Sequence, residues 1–217
     1  MKRLMPIFIV ILLSGCGILT AYAPNMLSMI VVAVMGVVVL LGIIYGLIPV
    51  LTFTQGLLTG QKSIQRASEA EEKSVWITAL QMDRFFRQKK MDQLFREYRD
   101  KVKQQRQNGQ IVSDLEDILN EDVLALYSWQ GVVAQIPGTL TGLGILGTFI
   151  GLLRGLRNIN FVTVEAALSS VQSILTGIDT AFYTSIAGVI LSILFNISNN
   201  ILRNTMDREM GIFLEVF

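Results

Sequence analysis

Charge is distributed along this chain in a way that leaves few folds open to it. No Asp, Glu, Lys or Arg occurs from Leu4 to Gln61, from Val123 to Leu153, or from Thr180 to Leu202, whereas the stretch from Lys62 to Asp122 is dense with them. A helix rises about 1.5 Å per residue and a bilayer core is about 30 Å thick, so roughly 20 apolar residues cross it once. The first uncharged stretch is long enough for two crossings, and each of the other two for one. Bulk composition agrees: 52% of the residues are hydrophobic and 16% charged, against about 25% charged in an ordinary soluble domain. The chain is expected to be an all-α, polytopic helical membrane protein.

The spans are expected near Leu4 to Tyr22, Leu27 to Phe53, Val132 to Leu153 and Thr180 to Leu202. Ala23, Pro24 and Asn25 supply turn chemistry between the first two. Four spans satisfy the pattern; with the short first segment lying in the interface, three would remain. Twelve Lys and Arg residues fall between Lys62 and Arg106, and cytoplasmic loops are the ones enriched in these residues. This block, Lys2 and Arg3, and Arg203 and Arg208 then share one side, which puts both termini in the cytoplasm. The layout divides into residues 1–61, a transmembrane hairpin; 62–122, a cytoplasmic helical region; 123–203, spans three and four; and 204–217, the start of a cytoplasmic C-terminal helix. Met206, Met210, Phe213 and Val216 keep an apolar face to the end of the chain without a helix-ending signal, as in a helix that continues in a longer protein.

Inside the charged block, Met91, Leu94, Phe95, Tyr98 and Val102 recur at helical spacing, with Arg87, Lys90, Arg96, Arg99 and Lys103 on the other faces. Asp92, Glu97 and Asp100 interrupt the positive charge, so the segment is expected to be a helix packed on its neighbours and not a nucleic-acid-binding face. Ser113 and Glu116 form a capping-box pattern that would open a second helix through Leu115, Ile118, Leu119, Val123 and Leu126. Between spans three and four, Val162 to Ile178 is expected to form a separate amphipathic helix lying at the outer surface.

The sequence also excludes chemistry. There is no histidine and only one cysteine, Cys16, which removes Ser-His and Cys-His catalysis, His-ligated or Cys-cluster metal sites, and intrachain disulfides. No enzyme, no metal site and no cofactor is expected. A net charge of +1 offers nucleic acid no general attraction. Leu13-Ser14-Gly15-Cys16 after Lys2 and Arg3 resembles a lipoprotein signal, but the second apolar run that follows favours a first transmembrane helix that happens to carry a cysteine.

The most informative segment is Ile136 to Gly151. Gly147, Gly151 and Gly155 repeat every four residues and form a smooth ridge, with Gly144 one turn earlier. In lipid, where helices associate by close packing, such a ridge admits a neighbouring backbone. Packing does not account for the hydroxyls at Thr139, Thr141 and Thr148, matched on the fourth span by Thr180, Thr184 and Ser185. Singly, each can bond back to a carbonyl one turn earlier; two such rows on adjacent helices can line a narrow polar path.

Gly144-Ile145-Leu146-Gly147-Thr148-Phe149-Ile150-Gly151, followed by Gly177-Ile178-Asp179-Thr180-Ala181-Phe182-Tyr183-Thr184-Ser185-Ile186-Ala187-Gly188, resembles the paired signature of the MotA/TolQ/ExbB superfamily. Within it the pattern is most similar to the ZorA family of Zorya anti-phage systems. The resemblance implies a pentamer of this chain in the bacterial inner membrane, around two copies of a single-span partner similar to MotB, ExbD, TolR or ZorB. The partner would carry an ion-binding aspartate, and proton flow, with sodium as the alternative, would drive rotation. By motif position Thr148 and Ser185 match the pore-facing hydroxyls, with Thr184 as the neighbour one register off. Thr141, Thr180 and Asp179 are candidates for the pore or its entrance, and Gly144, Gly147, Gly151, Gly155 and Gly188 for helix packing. Some members carry a glutamate where this chain has Thr180; Asp179 beside it would cap the outer end of the last helix or stand at the ion entrance. The competing expectations are a non-conducting membrane scaffold and a member of the superfamily that serves another process, as a flagellar, Tol or TonB-type energiser.

Overall fold

The computed structural model describes residues 5–69, 84–109, 115–117, 119, 120, 122, 123, 125, 128–157, 159 and 162–216, and every regular element among them is helical. Helix α1, Met5–Ala21, ends ahead of the Ala23-Pro24-Asn25 break, where Tyr22 and Ala23 donate backbone N–H groups to the carbonyls of Ile18 and Thr20. Asn25 is extended (φ −153°, ψ 166°) and its side-chain oxygen accepts the Ser28 N–H at 3.0 Å, which caps α2, Met26–Gly42. An Asn at this position satisfies one of the four free N–H groups at a helix start.

Beyond α2 the helix loosens into a π turn, Ile43–Leu47, before it continues as α3, Ile48–Glu69. Pro49 explains the turn. It lacks an N–H, and its ring collides with the carbonyl four residues earlier, so the ladder widens just ahead of it without breaking. Helix α4, Lys89–Gln107, buries Met91, Asp92, Leu94, Phe95, Tyr98 and Val102, which includes the whole apolar stripe expected from the sequence. Of the second helix expected in this region, Ser113, Ile118 and Leu126 lie outside the described residues; Leu115–Asp117 is one 3-10 turn.

A short helix α5, Gln130–Val133, precedes α6, Ile136–Leu156, which starts with Pro137 in its first turn, where a missing N–H costs nothing. Helix α7 runs unbroken from Val164 to Val216. This corrects two expectations. Val162 to Ile178 does not form a separate surface helix, and Asp179 does not cap a helix start, because it sits well inside one. No proline interrupts Val164–Val216, and Gly177 is clamped against α6, so nothing in the segment ends a helix.

Three helical runs, Met26–Gln65, Gln130–Leu156 and Val164–Glu215, are long and apolar enough to cross a membrane, and Pro6–Ala21 is a shorter apolar helix. The chain is thus an all-α, polytopic membrane protein. At seventeen residues, α1 rises only about 25 Å.

The described residues gather into two compact units. The first comprises Met1–Tyr45 with Gly131–Asn200, and its interior holds Leu12, Val32, Met35, Val39, Leu140, Ala187, Leu191 and Phe195. Gly42 makes room there for Ile136 and Phe195. Outward it presents Leu146, Phe149, Leu153, Phe182, Ile186 and Ile193, a covering suited to lipid or to another apolar chain. The second comprises Gly46–Gln130 with Ile201–Phe217. Its centre is aromatic: Phe85 stacks on Phe95 at 5.0 Å and meets Phe86 edge-on at 4.9 Å, and Phe86 packs on Phe213 at 5.3 Å. Gly60 lies directly against Phe85, Phe86 and Phe213, and Gly56 against Met91 and Gln88.

Candidate functional site

Helices α6 and α7 are antiparallel and touch backbone to backbone. Gly144, Gly147, Gly151 and Gly155 are all buried. A Cβ at Gly151 would come within 2.9 Å of the Ala181 nitrogen and the Gly177 carbonyl oxygen, and one at Gly188 within 2.7 Å of the Leu140 carbonyl oxygen. Gly155 faces Gly177 and Ser173 in the same way. Without side chains along this line, hydroxyls on either helix can reach carbonyls on the other.

Thr148 does so. Its Oγ1 donates to the Gly144 carbonyl (3.1 Å) on its own helix and to the Ala181 carbonyl (3.2 Å) on α7. Thr184 is fully buried; its hydroxyl donates to the carbonyls of Thr180 (2.9 Å) and Ala181 (3.2 Å) and lies over Gly147. Ser185, half-buried, has its Cα against Gly144. Thr148, Thr184 and Ser185 therefore converge on one stretch of the α6–α7 contact, around Gly144, Gly147 and Ala181. Each hydroxyl that donates to a carbonyl keeps lone pairs that can accept a further hydrogen bond.

One turn along α7, buried Thr180 donates to the Thr176 carbonyl (2.9 Å) and accepts a hydrogen bond from Asn25 Nδ2 at 2.6 Å. Thr180 and Asn25 border a cavity of about 450 Å³ whose other polar lining includes Arg154, Gln172, Ser173 and Thr176. It opens between the start of α2, the end of α6 and the first half of α7. Asp179 is exposed and does not line it. Thr141 and Thr139 bond back to the carbonyls of Pro137 and Gln135 on their own helix and do not join the cluster.

The sequence reading missed Asn25, Gln172, Ser173 and Thr176 as members of this polar region, and Tyr183 as a brace. The Tyr183 hydroxyl donates to the Leu19 carbonyl, one of the last carbonyls of α1, which has no partner within its helix. Signals for two of them were present: Asn25 directly precedes an apolar run, and Tyr183 is a phenol in an otherwise apolar span. The acceptors, the Thr180 hydroxyl and the Leu19 carbonyl, could not be foreseen, because they are distant in sequence. Among the described residues no group of three or more His, Cys, Asp or Glu could hold a metal ion.

Comparison with known proteins gives a consistent picture. A family model described as "Anti-phage protein ZorA, Zorya type I system" matches residues 12–204. A Zorya protein ZorA of Escherichia coli strain Crooks is 47% identical over 60 residues, which cover 28% of this chain and 10% of that protein. Another, from Escherichia coli O139:H28, is 43% identical over 60 residues, 28% of this chain and 8% of the relative. The matched stretch is thus about a tenth or less of either relative's length.

Proposed function

Because the chain belongs to the ZorA-like family of Zorya type I systems, we propose that it is the membrane-embedded ion-channel subunit of an anti-phage defence machine. In this reading five copies ring two copies of a single-span partner in the bacterial inner membrane, with both termini of this chain cytoplasmic. Proton flow along the ring's inner face turns the ring about the partner pair. The chain carries out no chemical conversion and binds no nucleic acid directly through this segment.

The observation that supports the reading is the hydroxyl line between α6 and α7. Thr148 joins the two helices through the Ala181 carbonyl, Thr184 lies buried one turn away, and Thr180 leads to the polar cavity bordered by Asn25 and Arg154. Hydroxyls can hydrogen-bond either a carboxylate or a carboxylic acid and add no fixed charge. The stretches Val123 to Leu153 and Thr180 to Leu202 contain no acid, so a proton that pauses at mid-membrane needs a carboxylate from the partner. Burial would hold such a carboxyl neutral more readily than in water, and a neutral acid can pass an apolar wall. One charge crossing 100 mV releases about 2.3 kcal/mol.

The test is proton uptake by vesicles that hold the chain with its partner, alongside survival of phage-challenged cells. Thr148→Val keeps the side chain's shape and loses its bridging bond, and is expected to slow uptake about tenfold, the worth of one hydrogen bond of roughly 1.4 kcal/mol. Combined with Ser185→Ala it should abolish protection. If vesicles holding the parent chain and its partner take up no protons, the chain is a scaffold and the channel reading is wrong; if the double variant conducts and protects like the parent, the hydroxyl line is not the ion path.

A further inference from the structure

A second polar feature lies well away from the hydroxyl line. Arg84, Arg87, Lys89 and Arg96 line an open cavity of about 630 Å³ whose lining, among the described residues, includes one acid, Asp92. That acid is already engaged: Asp92 is buried and its carboxylate accepts the Phe86 N–H at 2.8 Å. Among the described residues no ion pair involves any of the four cations. Their positions are fixed by the chain between them. Phe85 and Phe86 are sunk in the aromatic centre with Phe95 and Phe213, so the arginines on either side of the pair point away from it. Arg87 has a φ of 54°, in the left-handed region, which is unfavourable for a side-chain-bearing residue. The anchored aromatic pair and the Asp92 bond hold it there.

The depth of this cluster follows from the register of α3 against α7. The Gln61 amide donates to the Glu209 carbonyl at 3.3 Å, six residues past Arg203, which ends the last uncharged stretch; six residues of helix rise about 9 Å. Gln88 and Met91 pack on Gly56, five residues before Gln61, and Phe85 and Phe86 on Gly60. The cluster therefore lies about 2–9 Å beyond the end of the uncharged span, while the polar layer of a bilayer occupies about 5–8 Å on each side of its core. Among the described residues, four cations around one committed carboxylate, at headgroup depth, are placed for a phosphate. Guanidinium groups match phosphate oxygens with paired hydrogen bonds, and basic pockets beside membrane-spanning helices favour anionic lipid.

We propose that Arg84, Arg87, Lys89 and Arg96 seat the phosphate of an anionic phospholipid headgroup at the membrane surface. The assignment to the cytoplasmic leaflet rests on the orientation given under the proposed function, but the binding itself does not depend on ion conduction.

The test is native mass spectrometry of the chain purified from membranes, titrated with phosphatidylglycerol or phosphatidylethanolamine. The parent should bind phosphatidylglycerol preferentially. Combined Arg84→Gln, Arg87→Gln and Arg96→Gln should weaken that binding about a hundredfold, at about a fivefold loss per charge. Lys101→Gln, Lys103→Gln and Arg106→Gln together, which remove the same charge from the far end of α4, should change it little. Arg84→Gln alone, at an exposed position before the strained turn, should give the fivefold loss even if the triple variant does not fold. Equal losses in the two triples would mean diffuse attraction, and displacement by excess inorganic phosphate would mean a soluble-anion site; either result, or no loss in Arg84→Gln, overturns the proposal. Since no ion gradient enters the measurement, its failure would leave the channel reading untouched, and a non-conducting chain could still bind the lipid.

Discussion

Asn25 has two separate tasks, one for each end of its amide. The oxygen caps α2 through Ser28, and the nitrogen donates to Thr180 at 2.6 Å. Asn25→Asp keeps the cap and removes the donor; Asn25→Ala removes both. The alanine variant should lose about 2 kcal/mol, about 1 for the cap and about 1 for the buried bond, and the aspartate variant no more than the second part, read as the shift in the chain's unfolding midpoint in detergent. The capping role was legible in the sequence, since Asn after Pro24 and before an apolar run is an ordinary helix-start pattern. The bond to Thr180 was not, because it depends on which face of α2 meets α7. The same division holds for Thr148. Its hydroxyl stood out as unneeded for packing, while its acceptor, a carbonyl on α7, exists only because the two backbones come close enough.

At the scale of elements, the glycines of α6 differ by face. Gly142 has open space where a Cβ would go, whereas Gly151 has the Gly177 carbonyl and the Ala181 nitrogen there, both backbone atoms. Gly151→Ala should therefore destabilise the α6–α7 pair by about 1–3 kcal/mol and Gly142→Ala should be close to neutral; thermal unfolding of the two variants distinguishes them. The spacing of the ridge was readable because a four-residue repeat on a helix marks one face. The length of α7 was not. Asp179 borders the last uncharged stretch and so reads as the start of a span, yet an exposed carboxylate is no obstacle to a helix. Pro49 carried a signal that went unused: a proline within a long apolar helix requires local relief, which here is the π turn at Ile43–Leu47.

At the scale of the whole molecule, the separation of charge along the chain was enough to give the class, because few folds other than membrane-spanning helices can hold such long uncharged stretches. It could not show that the described residues form two compact units, because apolar residues of the spans and of the aromatic centre look alike in a sequence. Phe213, near the end of the chain, is fully buried against Phe85 and Phe86. Phe213→Ala should cost about 3–5 kcal/mol and raise hydrogen exchange in α4 far more than in α6, since local opening follows the unit that loses its contacts.

The close contact of Gly151 with Gly177 has a mechanical side. A joint made of side chains can yield by changing rotamers, but main chain against main chain has no rotamers to change, so α6 and α7 bear load as a single stiff strut. Movement in this membrane unit is then left to surfaces clothed in long, pliable groups such as Leu146, Phe149 and Leu153, where whatever lies alongside can slip without disturbing the hydroxyls fixed within the strut.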